Sequence, residues 1–258
     1  MKTKRVTNQN NGSAAEVENV RPLRLTPDQY TPKRPTDLIG EACSIAARLL
    51  KSSWGKTGNI KLLLFGAPGC GKTSIVRMLC RELAAHKIDV EKINGRNLTI
   101  DVVREWERNA YYASLFGGWK IKHIEEVDLV AQVAQDLMLT YLDDLPAHNA
   151  VIGTSNLSLE TLTERFQTRF QLIHLHGPSD DQLARWLVKR WKVPKQTAEF
   201  ISIGAGGNVR EALLAARGFQ MFGNIEHRPR TPTVVKDPAA VARAKKAWLT
   251  MRSRSAAT

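Results

Sequence analysis

The octapeptide Gly66-Ala67-Pro68-Gly69-Cys70-Gly71-Lys72-Thr73 constrains this chain more than any other stretch. It fits the pattern G-x-x-x-x-G-K-[ST]. The apolar run Lys61–Phe65, which reads as a buried strand, leads into it. Thr73–Ala85 follows, with Ile75, Val76, Leu79 and Leu83 on one helical stripe. The glycines permit a tight loop whose backbone N–H groups turn inward toward phosphate oxygens at the start of a helix. Gly66, Ala67, Pro68, Gly69, Cys70, Gly71, Lys72, Thr73 and Ser74 are therefore candidate phosphate-site residues. In that arrangement Lys72 bridges the terminal phosphates and the Thr73 hydroxyl ligates Mg²⁺. Cys70 occupies a variable position of the loop and reads as packing rather than as a nucleophile.

A strand–loop–helix of this kind belongs in a parallel sheet, and the rest of the chain alternates accordingly. Further strands are predicted at Val90–Ile93, Trp119–Ile124, Ala150–Thr154 and Leu172–Leu175. Helices are predicted over Ala42–Leu50, Ile100–Ser114 (capped by Asn97 or Thr99) and Leu129–Leu145. This pattern predicts an α/β parallel P-loop sheet with helices on both faces. After Gly177-Pro178 the pattern turns all-helical. Ser179 caps a helix to Trp191, Pro194 opens another to about Ile203, and a third spans Val209–Phe222. The expected organisation is an N-terminal tail (1–27), an α/β nucleotide-binding domain (28–177), a small helical lid (178–223) and a C-terminal tail (224–258).

A P-loop needs an acidic strand end beside it, and the third strand supplies Glu125-Glu126 followed by Val127-Asp128. Glu125 is the candidate for the magnesium role and Glu126 for polarising the attacking water. Lys120, Lys122 and His123 are unexpected in a strand that should be nearly apolar. Either they snorkel from its beginning or the strand starts later.

Composition narrows the remaining choices. With 258 residues, 43% hydrophobic and 24% charged, the chain is neither disordered throughout nor a small disulfide scaffold. Cys43, Cys70 and Cys80 make an odd number without C-x-x-C spacing, which suits a reducing compartment. His174-x-His176 lacks a third ligand nearby. No apolar run is long enough to span a bilayer, and the basic N-terminus lacks a signal-peptide core, so a cytoplasmic location is expected. The net charge of +13 is concentrated at the ends: residues 1–34 carry +4, residues 225–258 carry +6, and the long middle only +3. Basic, Pro-containing, poorly ordered tails of this kind favour contact with phosphate backbones, making nucleic acid an expected partner, with a solubilising tail the alternative.

Taken together, these motifs resemble those of the AAA+ ATPases, most of all the small subunits of sliding-clamp loaders. The resemblance spans residues 28–222. Tyr30-Thr31-Pro32-Lys33-Arg34-Pro35-Thr36-Asp37-Leu38-Ile39-Gly40 is similar to the family's Y-R-P-K-x-x-x-D-[ILV]-[ILV]-G, with Thr31 in place of the usual Arg. It implies that Tyr30, Pro32 and Ile39 pack around adenine. Ile93-Asn94-Gly95 resembles the turn after the second strand. Glu125-Glu126-Val127-Asp128 resembles the D-E-x-D form of the Walker B motif, with Glu125 the departure. Asn156, closing Thr154-Ser155-Asn156, resembles the sensor-1 residue that contacts the γ-phosphate or the lytic water. Thr168-Arg169-Phe170 resembles the motif whose Arg reaches a neighbouring subunit's nucleotide; Arg165, one turn earlier, competes for that role. Gly206-Gly207-Asn208-Val209-Arg210-Glu211-Ala212 resembles the sensor-2 signature, implying that Arg210 touches the γ-phosphate from the lid.

The resemblance implies ATP and Mg²⁺ as cofactors and composite sites in a ring or spiral oligomer that works on DNA. The residues after Phe222 are Pro- and Lys/Arg-rich with at most one helix, Pro238–Met251, so the clamp loaders' collar domain is not expected. Two other readings stand beside loading or remodelling. One is a DNA-bound regulatory filament, as in transposition helper ATPases; the other is a nucleotide-dependent structural subunit with little turnover. A protein-unfolding machine is disfavoured, because no aromatic-Gly pore loop follows the second strand; Gly117-Gly118-Trp119 reads as the turn into the third.

Overall fold

The computed structural model describes residues 30–52, 58–84, 86–114, 116–156 and 159–222. The two tails and the helix expected over Pro238–Met251 lie outside the described residues. Five parallel strands form one sheet: β1 (Asn59–Gly66), β2 (Val90–Asn94), β3 (Lys120–Glu125), β4 (Asn149–Ser155) and β5 (Gln171–Leu175). Their order is β2-β3-β4-β1-β5. β1 and β4 are therefore interior strands, and β1 delivers the glycine loop at the sheet's C-terminal edge.

Side-chain alternation sorts the core into two layers. Ile60, Leu62 and Leu64 of β1, with Ile121, Ala150 and Ile152, pack beneath α1 (Glu41–Lys51) and α2 (Lys72–Leu83). Leu63, Ile124 and Val151 face the other way, toward α3 (Ile100–Ala110), α4 (Gln132–Asp143) and the single-turn α5 (Glu164–Gln167). Leu63, Leu64, Trp106 and Phe166 are fully buried, each such side chain contributing about 1.5–3 kcal/mol. Helices thus cover both faces, as the alternation predicts.

Several predicted boundaries shift. Thr99, not Asn97, caps α3. That helix stops at Ala110 rather than Ser114, because the Lys120 ammonium takes up the carbonyls of Asn109 and Tyr112 and the buried stripe ends there. Leu129–Leu145 divides into a 3₁₀ turn, Val127–Leu129, and α4 proper. α2 closes at Leu83, two residues early, where Ala84 turns extended. β3 starts at Lys120, one residue late. Its lysines find partners at the margin: Lys122 pairs with Glu91 and lies 5.2 Å from the centre of the Trp106 ring. His123 is buried, and desolvation pushes its pKa down to about 4, so it is neutral at physiological pH.

α6 (Asp180–Trp191), α7 (Lys195–Ala205) and α8 (Val209–Phe222) share a separate core of Leu183, Leu187, Ala198, Ile201, Ala212 and Ala216. Ser179 and Gln182 form a capping box at the start of α6. α7 runs two residues beyond Ile203 and ends at Gly206, which takes the left-handed conformation that glycine adopts without a Cβ penalty. Among the described residues, no helix is long and apolar enough to cross a membrane.

Candidate active site

Two glycines show why the loop after β1 needs them. Gly66 has φ +144°, and a Cβ there would lie 2.1 Å from the Leu175 carbonyl oxygen. Gly69 has φ +76°, and a Cβ would lie 1.8 Å from Asn208 Oδ1. Gly71 opens α2, and no side chain caps that helix, so its first N–H groups are available to an anion. Lys72 is 5% exposed, and its ammonium donates to the carbonyls of Gly66 and Ala67, both at 2.8 Å, with Cys70 Sγ at 3.7 Å. Burial lowers the Lys72 pKa. Cys70 and Asp128 oppose that shift, whereas Arg210 adds to it. Thr73 and Ser74 stand on the first turn of α2, half-buried. A concave loop, an uncapped helix start and a lysine held at the centre fit a polyphosphate. Cys70 is buried in the core beneath the loop.

The helical unit touches this loop directly. The Val209 N–H donates to the Gly69 carbonyl at 3.3 Å, and Arg210 stands exposed on the same first turn of α8. Tyr30 donates to the Asp37 carbonyl at 2.7 Å, and its ring meets Trp186 and Trp191 edge-on at 5.8 and 5.1 Å. Ile39 packs on the same helical core while Leu38 packs on the sheet layer, so this segment joins the two units. Pro32 is buried.

The acids after β3 diverge. Glu125 ends the strand, with Oε1 2.9 Å from Lys92 Nζ on β2. Glu126 has φ +53°, and its Oε2 accepts from Asn94 Nδ2 at 2.8 Å, also on β2. Asp128 Oδ1 accepts from Ser155 Oγ at 2.7 Å, at the end of β4. Asn156 follows directly, half-buried. A carboxylate such as Glu125 that already balances an ammonium has the chemistry to take Mg²⁺ in exchange, so the residues fit that ion. Sequence reading assigned no role to Lys92, Asn94, Ser155 or Asn208. Asn94, Ser155 and Asn208 lie inside quoted motifs, whereas Lys92 carries no signal beyond its position two residues before Asn94.

Arg169 lies on the layer of α4 and α5. Its Nη2 and Nε donate to Asp143 Oδ2 at 2.8 and 3.2 Å, and its Nη1 donates to the Arg165 carbonyl at 2.7 Å. Arg165 is exposed one turn earlier. His174 stacks on Phe65 at 4.7 Å and lies 4.0 Å from His176, which pairs with Glu41 at 2.9 Å. Among the described residues, no group of three or more His, Cys, Asp or Glu side chains gathers to hold a metal ion.

The family model described as "ATPase family associated with various cellular activities (AAA)" matches residues 62–177, from the middle of β1 through the end of the sheet. Residues 62–177 are an AAA ATPase domain. The AAA domain contains the glycine loop, all three acids, Asn156 and Arg169; Tyr30, Pro32, Ile39 and Arg210 lie outside the matched segment. Two curated relatives are named "Replication factor C large subunit". The one from Staphylothermus marinus is 30% identical over 110 residues, covering 41% of this chain and 26% of that protein. The one from Methanosphaera stadtmanae is 33% identical over 104 residues, covering 39% and 19%. The chain thus spans about a quarter or less of each relative's length. Among solved structures, Thermotoga maritima RuvB variants superpose with TM-scores of 0.59 and 0.60 at 15% identity, over 84% of this chain. They cover 72% and 73% of the RuvB chains. At that identity the likeness shows the fold: a five-stranded parallel P-loop sheet of the AAA+ kind.

Proposed function

We propose that this AAA ATPase hydrolyses ATP at composite sites in a ring or spiral oligomer and uses the cycle to load or remodel a replication or recombination partner on DNA. The P-loop amides and Lys72 hold the triphosphate, Tyr30, Pro32 and Ile39 flank the adenine, and Thr73 and Glu125 hold Mg²⁺, which supplies charge neutralisation. Glu126 orients the attacking water, Asn156 and Arg210 contact the γ-phosphate, and Arg169 of a neighbouring copy meets the transition-state charge. The helical unit acts as the lid. One observation carries the reading: the first turn of α8, with Asn208, Val209 and Arg210, rests on the glycine loop. That contact offers a route by which occupancy of the loop could bias the angle of the helical unit, the coupling a nucleotide-driven machine needs. The DNA partner is supported by the net charge of +13 and by relatives named for replication factor C.

ATPase titration against single-stranded, duplex and primed DNA, with assembly mass followed in parallel, tests this. Stimulation by primer junctions supports loading, whereas stimulation by plain duplex with growing mass points to a filament. Rates and binding indifferent to all DNA and salt refute the DNA role. A second reading, a structural subunit with little turnover, is favoured by the engagement of Glu125 with Lys92 and of Glu126 with Asn94. Under it, Glu126→Gln behaves like the parent.

A further inference from the structure

α4 ends on the wrong charge for a helix. Its last residue is Asp143, Asp144 follows as the C-cap, and its last turn holds no basic residue. The free carbonyls at a helix C-terminus carry partial negative charge, so a carboxylate there disfavours the helix and a cation favours it. The cation comes from a distant part of the chain. Arg169 donates from Nη2 and Nε to Asp143 Oδ2, at 2.8 and 3.2 Å. Its Nη1 donates at 2.7 Å to the Arg165 carbonyl, which also accepts from Thr168 Oγ1 at 3.0 Å. The guanidinium thus lies across the ends of α4 and α5 and is held from two directions.

A guanidinium carries five N–H groups in one rigid plane, so three bonds fix its orientation and leave two donors over. The Arg169 side chain remains 27% exposed, so a further acceptor can approach it. Its own glycine loop is not that acceptor. Arg169 precedes the start of β5, whereas Leu175, the last residue of β5, pairs with Gly66. At about 3.3 Å per residue, the length of β5 alone separates the two by roughly 13 Å. Arg165, the competing arginine, stands exposed on α5. Fixing a long side chain in one geometry before an encounter removes freedom that the encounter would otherwise have to remove. Asp143 does that for Arg169, at the expense of the helix it ends.

We infer that Asp143 is the positioning residue of Arg169, holding its guanidinium with two N–H groups ready for the nucleotide of a neighbouring copy. The inference rests on the trans role of Arg169 proposed above. Asp143 touches no nucleotide itself. Its contribution is orientation, and it acts from the subunit that lends the arginine.

Steady-state ATPase kinetics of the full chain, with binding of methylanthraniloyl-labelled ATP followed in parallel, test this. Asp143→Ala is expected to lower kcat about tenfold with KM and labelled-ATP affinity unchanged. In an Arg169→Ala background the same change should add nothing, because its only route is through the arginine. Asp143→Glu restores the carboxylate and is expected to recover part of the rate. Lys72→Ala subunits keep both Asp143 and Arg169, so mixing them with Asp143→Ala subunits should raise turnover several-fold above Asp143→Ala alone. A slow Asp143→Ala that such mixing does not rescue acts within its own subunit, and that result overturns the inference. A slow Arg169→Ala beside an Asp143→Ala at or above the parent's rate also overturns it, and leaves the trans arginine standing. Arg169→Ala turning over at the parent's rate overturns both. Where Asp143→Ala unfolds below the assay temperature, Asp143→Asn decides, and an unchanged kcat there counts against the proposal.

Discussion

The glycine loop and the acidic turn, both at the C-terminal edge of one sheet, are built in opposite ways. The loop's cation is held locally: Lys72 bonds to carbonyls five and six residues before it, and α2 continues directly from the loop. The acidic turn depends on others. Glu125, Glu126 and Asp128 are held by side chains from two other strands: Lys92 and Asn94 of β2, and Ser155 of β4. A local device survives changes elsewhere, whereas a borrowed one can be set by whatever moves its neighbours. Here the loop proposed to grip the nucleotide belongs to the first kind and the groups proposed for metal and water to the second.

Changes on either side should separate the two. The largest effect is expected from Lys72→Ala, which removes the loop's central cation: labelled-ATP binding and phosphate release both fall to background. Arg169→Ala should leave ATP binding intact and slow turnover by roughly 10³-fold. Mixing Lys72→Ala with Arg169→Ala subunits then restores part of the activity, and a mixture as inactive as its parts removes the trans role. Glu126→Gln, on the borrowed side, is expected to slow turnover about 10²-fold with unchanged ATP affinity, measured in single-turnover assays.

Two smaller effects concern stability. Gly66→Ala drives a methyl group into the Leu175 carbonyl and is expected to cost about 3 kcal/mol in urea unfolding, despite changing only one atom group. His123 connects the acidic strand to pH. Its folded pKa of about 4 lies below the ordinary 6.5, so the unfolded chain binds the proton first as pH falls. Stability is therefore full above pH 6.5 and declines between about 6.5 and 4, by at most roughly 3 kcal/mol. His123→Leu should flatten that part of the pH–stability curve; an identical slope in the variant refutes the assignment.

The same contrast governs what could be read before the structure. The strand–loop–helix around Gly66–Thr73 is contiguous, so its residue types alone specify backbone freedom, charge and helix start. The paired helical stripes and the five apolar strands were legible for the same reason, to within a few residues at their ends. The halves of the acidic turn were not. Nothing in Glu125-Glu126-Val127-Asp128 says which carboxylate turns to β2 and which to β4, because that depends on a left-handed Glu126 and on Ser155, 27 residues from Asp128. The polar residues of β3 were puzzling in one dimension. Their reasons, Glu91 beside Lys122 and the carbonyls of Asn109 and Tyr112 beside Lys120, come from separate elements.

By itself the amino-acid sequence determined the parallel α/β architecture, the glycine loop and the helical unit after Gly177, since each follows from periodicity and local chemistry within a short span. Only the tertiary structure decided which acids turn to β2 and which to β4. It also decided that Arg169 rests on Asp143 and that α8 lies on the loop. Those outcomes depend on strand order and on the direction a turn takes across it. Spacing along a chain carries no record of either.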